Sequence, residues 1–463
     1  VWYYSINKIY SFKEDNMKNV LILGAGQSSP YLIDYMLNNA ENYDWFITVA
    51  DRDYSLALER IKRHPKGNAV ELDVNDELLR KSLIANCDIV INFLAPVYQY
   101  QIALDCLDLG KDCITASYEN PRVNALHKDA MRKGIIILNE MGLDPGIDHM
   151  WAMSIIDNIH NHNGIITSFL SYGSGLPAND SINNPLKYAI TWNARNVAMA
   201  GESGAQYMED GKIKVLSQAH VFNRTWQVDV DGVGMLEAYP NRDSLTYIDV
   251  FNLKYLHTMI RGTLRFPGWC ETWSQLVKLG MPNEIMRIPG LNDRSYCEFT
   301  EMFLPINSNG TKLDTRVANY LGVNPTGKIM ENLRWLGLFS NDKIENSPKT
   351  AAEVLTDILK EKLTLPEGGR DMVILIHDFN VEYPETGKKE RRVSTLVEYG
   401  KPNGFTAISK TVGLPAAIGA KLILNNQIPL KGCYIPIHPI IYTKVIEELK
   451  IDGIDFKEKI YSL

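Results

Sequence analysis

The chain has no CxxC pair and no metal-finger spacing; its six cysteines, Cys87, Cys106, Cys113, Cys270, Cys297 and Cys433, are scattered. That pattern argues against a zinc ribbon and reads as reduced, mostly buried small hydrophobes, as in a cytoplasmic protein. No metal site is expected. A basic excess is missing too. With a net charge of −7 and a pI near 5.8, the chain does not suit nucleic acid, since phosphate binding rests on a basic surface. No apolar run approaches the roughly 20 residues that span a bilayer, so no membrane partner is expected, and no signal peptide is expected before the first strand. Internal repeats and low-complexity tracts are also lacking.

What is present is ordinary folded-protein material: 463 residues, 45% hydrophobic and 22% charged, enough for two or three domains with their own cores. The organising stretch is Lys18 to Ser28, KNVLILGAGQS. Val20 to Leu23 read as a buried parallel strand, and two glycines behind it open a helix. Gly24 permits the tight bend. At Gly26 a Cβ would hold a pyrophosphate away from the N–H groups of the following helix. Ser29 and Pro30 occupy the third fingerprint position, an imperfect match. The next strand, Trp45 to Ala50, ends in Asp51, where an acidic side chain can hold a ribose 2′-hydroxyl. Val1 to Asn16 carry Trp2, Tyr3, Tyr4 and Tyr10 without a period. They read as an extension outside the fold, with an extra packing strand as the other possibility.

From Met17 strand and helix alternate, which predicts an α/β domain: a doubly wound parallel sheet over 17–141. Strands are expected near 19–23, 46–50, 69–72, 88–93, 112–115 and 135–138. Helices are expected near 29–39, 54–63, 76–85, 98–109 and 121–133. A second domain of mixed sheet, 142–267 and 363–424, is expected to hold substrate. Its strands are placed at 165–173, 212–222 and 245–251, and a hairpin at 371–383 and 391–399 turns through PETG. Residues 268–362 read as a helical insertion. Phe405 to Leu424 read as a helix broken by Gly413 and Pro415. The segment 425–463 is free to pack back on the first domain. Asp148 is a candidate cap for a helix running to about His160, and His149 a packing or capping residue.

Chemistry should gather in loops beyond the carboxyl ends of the strands. Ser117 and Tyr118 sit at the tip of the fifth strand, and Asp144 in the loop that leaves the sheet. Arg242, Arg261 and Arg265 fall in connections of the second domain. A guanidinium binds a carboxylate through two parallel hydrogen bonds, so a cluster implies a substrate with several acid groups. Each has a plainer reading. Arg242 beside Asp243 can be a structural pair, Tyr118 a cover for the sheet edge, and Asp144 before Pro145 a turn former.

At these same loops the sequence resembles saccharopine dehydrogenases of the glutamate-forming type, the saccharopine reductases. The motifs are Gly24-Ala-Gly26, Thr115-Ala-Ser117-Tyr118, Asn139 to His149 (NEMGLDPGIDH), Ser171-Tyr172 through Gly175-Leu-Pro-Ala178, Tyr239 to Ser244 (YPNRDS) and Arg261 to Arg265 (RGTLR). Trp335 to Ser340 and Glu398-Tyr-Gly400 extend the likeness, which runs from about Met17 to the end. The resemblance implies an NAD(P)-dependent dehydrogenase acting on CH–NH groups in lysine metabolism. Saccharopine and water give glutamate and 2-aminoadipate 6-semialdehyde, with hydride passing to the nicotinamide and an imine hydrolysed by water.

The cofactor is expected to touch Gly24, Gly26, Gln27 and Ser28, then Asp51, Arg52, Asp73 and Val74. Leu94, Ala95, Pro96, Ser117, Leu143 and Asp144 complete that set. The substrate is expected at Ser117, Tyr118, Asp144, Arg242, Thr263, Leu264 and Arg265. Asp144 and Tyr118 are the catalytic candidates: Asp144 either assists loss of the amine proton or holds the substrate ammonium, and Tyr118 orients the substrate. Asp51 favours NAD over NADP, because a carboxylate repels a 2′-phosphate, although Arg52 can reach one. Two departures from the family stand near the cleft. The fourth-strand loop, Leu94-Ala-Pro96-Val-Tyr98-Gln99, lacks the usual His, and Gly173-Ser174 replaces a Cys-Gly pair. They leave room for a carboxynorspermidine- or carboxyspermidine-type reductase, which the arginines oppose. A non-catalytic dinucleotide-binding regulator is the reading from another class, and a homodimer is possible.

Overall fold

The computed structural model describes residues 17–306 and 308–463; the extension Val1 to Asn16 lies outside them. The chain divides into two compact units, one built from the residues up to Ile155 with Ile408–Asp455, the other from Ile156–Ala407 with Phe456–Leu463.

In the first unit, seven strands of the described residues form one parallel sheet. They are β1 (Lys18–Leu23), β2 (Trp45–Asp51), β3 (Gly67–Glu71), β4 (Ile89–Asn92), β5 (Asp112–Thr115), β6 (Ile136–Leu138) and the late strand Gly432–Tyr434. From one edge the order is Gly432–Tyr434, β6, β5, β4, β1, β2, β3. The sequence order reverses at β1, which pairs with β2 on one side and β4 on the other. That reversal is the point where such sheets take ligands. Val20 to Leu23 and Ile89 to Ile91 are almost wholly buried. A parallel strand covered by helices on both faces must be apolar throughout, which is why these runs show no alternation.

The expected helix 121–133 is two pieces, Pro121–Asn124 and His127–Lys133, and no Gly or Pro marks the break. The helix Ala407–Leu424 is continuous, with Pro415 inside it. Its Gly413 lies against the helix Pro30–Asn38: a Cβ there would stand 2.8 Å from Leu32 N. Close helix packing, not a break, is what that glycine serves. By length and composition alone this helix could cross a membrane, contrary to the expectation of no such run, but 83% of its apolar window is buried inside the fold. Core packing accounts for its apolarity.

The boundaries differ from those expected. The chain leaves the first unit within the helix Ile147–Asn161, not at 141, and residues 408–424 belong to the first unit. The last strand, Lys457–Ser462, pairs with Lys388–Tyr399 in the second unit. The helical stretch 268–362 belongs to that same unit rather than standing apart.

The second unit holds a mixed sheet of ten strands among the described residues. At its centre Ile165–Pro177 pairs in parallel with Thr258–Arg265 and antiparallel with Asp371–Tyr383. The hairpin Asp371–Tyr383 and Lys388–Tyr399 runs in register from Met372 opposite Tyr399 to Tyr383 opposite Lys388. Two strand expectations are corrected. Leu245 to Phe251 is a helical turn, Thr246–Val250, because Asp243 accepts the Leu245 N–H (2.8 Å) and the Thr246 hydroxyl (2.6 Å) and so starts a helix. The strand at Lys212 ends at Leu216, and Gln218–Val221 is helical. Six of the ten strands were not expected: Ala205–Glu209, Trp226–Val230, Gly234–Pro240, the two-residue Arg242–Asp243, Thr258–Arg265 and Lys457–Ser462.

One ionic cluster ties the hairpin together. Glu390, fully buried, ion-pairs through Oε2 with Lys388 Nζ (2.5 Å) and accepts through Oε1 from Arg392 Nε (2.5 Å) and the Tyr383 hydroxyl (2.9 Å). Burial alone would raise its pKa, but those hydrogen bonds outweigh burial and hold it near 2. A depressed carboxyl pKa contributes stability above the unfolded value of about 4.3, and that stability is lost as pH falls toward 2. Glu390→Gln is expected to cost about 2–3 kcal/mol at neutral pH and to flatten the acid limb of the stability curve between about pH 4.5 and 2. Urea unfolding of both proteins across that range checks it; parallel curves would mean the cluster is not linked to folding.

Candidate active site

The first unit builds a dinucleotide cradle. Gly24 has φ +103°, and a Cβ there would sit 2.9 Å from the Phe93 carbonyl oxygen, so the turn after β1 passes hard against the turn after β4. A Cβ at Gly26 would meet no protein atom within 4 Å. Protein packing therefore does not demand that glycine, whereas a close ligand would. Gly26 and Gln27 are exposed and Ser28 half-buried, and among the described residues none of their N–H groups bonds a backbone or side-chain acceptor. Ser29 is buried; its N–H and hydroxyl both donate to the Gly26 carbonyl (3.2 and 2.9 Å), which closes the turn in place of the third glycine. Three free donors at a helix start are what a pyrophosphate needs, and the residues present fit the group.

Asp51 serves this loop from the end of β2. One carboxylate oxygen accepts the Ala25 N–H (2.7 Å) and the other the Asp53 N–H (2.9 Å). Arg60 Nε reaches the Ala25 carbonyl from the other side (3.4 Å). Both Asp51 oxygens are thus engaged by backbone. Arg52, next along, is exposed. Asp73 is exposed and accepts from Asn75 N–H (2.9 Å), whereas Val74 is buried, with its carbonyl held by Arg80 Nη1 (2.5 Å). Leu94 is half-buried and Ala95 and Pro96 exposed at the end of β4. Asn92 folds that end over by accepting the Leu94 N–H (3.1 Å).

Tyr118 and Asp144 meet. The Tyr118 hydroxyl donates to Asp144 Oδ1 at 2.9 Å. Asp144 is exposed at the tip of the turn that leaves the sheet, beside buried Leu143, and its bond to Pro145 is cis. Ser117, half-buried, donates its N–H to Thr115 Oγ1 (3.2 Å) and gives its carbonyl to the Glu140 N–H (3.1 Å). Asp148 lies inside the first turn of the helix Ile147–Asn161 and accepts the Gly146 N–H (2.7 Å). His149 is buried with Nδ1 2.6 Å from Asp148 Oδ1. Gln99, in the segment lacking the usual His, is buried and donates to Asn139 Oδ1 (3.2 Å).

In the second unit, strand alternation puts Arg261, Thr263 and Arg265 on one face of Thr258–Arg265. Arg265 is only 6% exposed. Its Nη1 donates to Ser174 Oγ (3.0 Å) and to the Leu264 carbonyl (2.9 Å). Its guanidinium carbon lies 4.9 Å from the Tyr188 ring centroid, 4.7 Å from Trp269 and 5.7 Å from Tyr239. Among the described residues it makes no ion pair, and its buried Nε has no acceptor. One edge of the fork is fixed by protein and the other is not. Ser174, the departure from Cys-Gly, is the residue that fixes it, donating in turn to the Leu264 carbonyl at 2.7 Å.

Arg242 is exposed with φ +56°, a strained backbone for a non-glycine residue. Asp243 beside it is occupied with Leu245 and Thr246. The PNRDS loop is stitched to the neighbouring strand: Asn241 N–H to the Arg261 carbonyl (2.9 Å), and Arg261 N–H to Ser244 Oγ (2.9 Å). Arg261 stacks over Tyr247 at 4.3 Å. Thr263 is half-buried opposite Tyr239, and Leu264 is fully buried. Sequence reasoning missed the aromatic walls of Arg265, because Tyr188 and Trp269 come from a loop and from the supposed insertion. It also missed Glu140.

Comparison with known proteins matches nearly the whole chain. A model described as the saccharopine dehydrogenase NADP binding domain matches residues 20–138, and one described as the saccharopine dehydrogenase C-terminal domain matches 142–454. Over 454 residues the chain is 35% identical to saccharopine dehydrogenase (NADP(+), L-glutamate-forming) of Saccharomyces cerevisiae, covering 96% of this chain and 99% of that protein. It is 34% identical over 445 residues to the mitochondrial alpha-aminoadipic semialdehyde synthase of Bos taurus, covering 94% of this chain and 47% of that protein. A solved structure of the apo L-Glu-forming saccharopine dehydrogenase of Saccharomyces cerevisiae superposes with a TM-score of 0.85 at 33% identity, covering 96% of this chain and all of that one. The preference for NAD read from Asp51 is not upheld. Its carboxylate is committed to the loop, and the matching model and relative are named for NADP. Fold, both domain models and near full-length identity agree that the chain belongs to the saccharopine dehydrogenase family.

Proposed function

We propose that the protein interconverts saccharopine and water with L-glutamate and 2-aminoadipate 6-semialdehyde, using NADP. The observation that carries this is Arg265: a buried guanidinium, stacked between aromatic rings, with one edge fixed and, among the described residues, no ion pair. Glu237, opposite on the neighbouring strand, favours the charge without pairing with it, so the open Nε edge still gains when an anion arrives. Saccharopine brings three carboxylates.

When bound, the dinucleotide supplies the hydride acceptor. The residues of this chain do the rest. Arg265 and Arg242 take substrate carboxylates, and Thr263 and Leu264 shape the strand that presents Arg265. Such contacts turn binding energy into alignment of the carbon that loses hydride. Asp144 accepts from the substrate nitrogen, and Tyr118 fixes the carboxylate by donating to its other lobe. Removing the amine proton frees the nitrogen lone pair to form the C=N bond as hydride leaves, and water then adds to that carbon. Gly26, Gln27 and Ser28 would hold the pyrophosphate. Arg52 is the cation placed to meet a 2′-phosphate, and Asp51 shapes the loop rather than reading the ribose.

Three outcomes test the reading. Purified protein with saccharopine should reduce NADP, seen as nicotinamide absorbance at alkaline pH. Activity only on a carboxylated polyamine would replace this substrate, and no turnover of either would favour a regulator. Arg265→Lys, which keeps charge but loses the fork, should raise KM for saccharopine by roughly 30-fold while KM for NADP stays level; an unchanged KM would remove Arg265 from the site. In Asp51→Ala both cofactors should weaken together, by about tenfold for the loss of a charged hydrogen bond. A shift of preference toward NADP in that variant would return Asp51 to the ribose.

A further inference from the structure

Glu140 stands just past β6, between two loops of the first unit, and nothing above gives it a task. Its backbone has φ +61°, in the left-handed region that favours glycine or asparagine, so a glutamate there needs a reason. The side chain is 6% exposed. Burial raises its pKa, opposed by neighbouring His149.

What Glu140 does is grip a turn on both sides. Its N–H donates to the Ser117 carbonyl (3.1 Å), and its Oε1 accepts the Glu119 N–H (2.9 Å). Residues on either side of it reinforce the hold: the Met141 N–H donates to the Thr115 carbonyl (2.9 Å), and Asn139 Nδ2 to Glu119 Oε1 (3.2 Å). The residue between the two gripped peptides is Tyr118, whose hydroxyl donates to Asp144. Asp144 lies four residues after Glu140 on the same segment. The other carboxylate oxygen, Oε2, faces His149 Nε2 at 3.5 Å, on the first turn of the helix Ile147–Asn161. His149 is fixed in turn by Asp148. The carboxylate thus spans from a helix start to the turn that carries Tyr118.

We propose that Glu140 is a positioning residue: through the Ser117–Glu119 turn it sets the Tyr118 hydroxyl against Asp144. This rests on the reading above that Tyr118 and Asp144 meet the substrate. The αL backbone is what lets one residue face the turn with both its amide and its carboxylate.

The acceptor oxygen and the charge can be separated. Glu140→Gln keeps an oxygen within reach of the Glu119 N–H and removes the charge. Glu140→Asp keeps the charge and, one methylene shorter, loses the reach. The readouts are kcat/KM for saccharopine, thermal midpoint and a double-mutant cycle with Tyr118→Phe. Tyr118→Phe alone should lower kcat/KM by about tenfold, the loss of one hydrogen bond in the site. Glu140→Asp should lower it by about tenfold too, yet add less than about threefold when combined with Tyr118→Phe, because coupled residues are not additive. Glu140→Gln should stay within about threefold of the parent. Multiplicative losses in the double variant would overturn the inference and leave the site reading intact, since Glu140 would then act elsewhere. A Gln variant as impaired as Asp at an unchanged thermal midpoint would overturn it as well, assigning the role to charge. If Tyr118→Phe is silent, both the inference and the reading of Tyr118 fall.

Discussion

A guanidinium that is 94% removed from water and, among the described residues, makes no ion pair is the constraint around which the second unit is arranged. Desolvating such a group costs several kcal/mol, and its surroundings, with Glu237 on the neighbouring strand among them, offset that by favouring the charged form. Two carbonyl or hydroxyl oxygens satisfy one nitrogen, and the faces of Tyr188 and Trp269 stabilise the cation through their ring quadrupoles. Arginine suits this better than lysine, because a planar, weakly hydrated ion tolerates stacking between rings. The Nε edge is left without an acceptor. Aromatic walls that exclude water also strengthen whatever anion meets that edge, since a charge pair gains as the local dielectric falls.

The first unit solves a different problem, the shaping of loops, and does so with carboxylates pointed at backbone. Asp51 takes the N–H of Ala25, Glu140 that of Glu119, and Asp76 and Asp53 cap the helices Glu77–Ala85 and Tyr54–Ile61. A carboxylate accepting a backbone N–H forms a charge-assisted hydrogen bond, roughly twice as strong as a neutral one. The ordering matters most where no regular element supplies it. Loops at the ends of β1 and β5 have no ladder partners of their own, so their geometry depends on side chains borrowed from adjacent strands.

This explains what could and could not be read from sequence. The parallel sheet was legible because strands buried on both faces must be apolar runs, and Val20 to Leu23 or Ile89 to Ile91 have no other reading. The second sheet was less so. Trp226–Val230 carries polar Gln227 and Asp229 on its exposed face, which weakens the signal, and Thr246–Val250 has the β-branched composition of a strand while Asp243 makes it a helix. Pattern alone cannot see a cap whose acceptor precedes the run. The helix Ala407–Leu424 was expected to break at Gly413, which in fact packs closely against Leu32, and at Pro415, which lies inside the continuous helix. The site divided in the same way. The arginines and the Tyr118 and Asp144 positions were visible as residue types, although Arg261 and Arg265 lie in a strand where connections were expected. Their partners were not, because Tyr188, Ser174 and Trp269 converge on Arg265 from positions spread over 96 residues of chain, 174 to 269.

Asp51 shows how a motif can be right in place while its hydrogen bonds point elsewhere. An acidic residue at the end of the second strand fits the ribose-binding rule, and from sequence the rule favours NAD. The rule assumes that the carboxylate is free to turn outward. Here it is tethered at 2.7 and 2.9 Å to two backbone amides, one of them inside the glycine turn. Turning outward would give up both bonds and loosen the cradle itself, so the tethered rotamer is held by the same contacts that make the cradle. With the carboxylate facing inward, its charge is partly neutralised by those amide dipoles, and the repulsion that would exclude a 2′-phosphate is weakened. An exposed arginine in the next position then decides the local field. A residue type that argues for one cofactor is, once its hydrogen bonds are counted, compatible with the other.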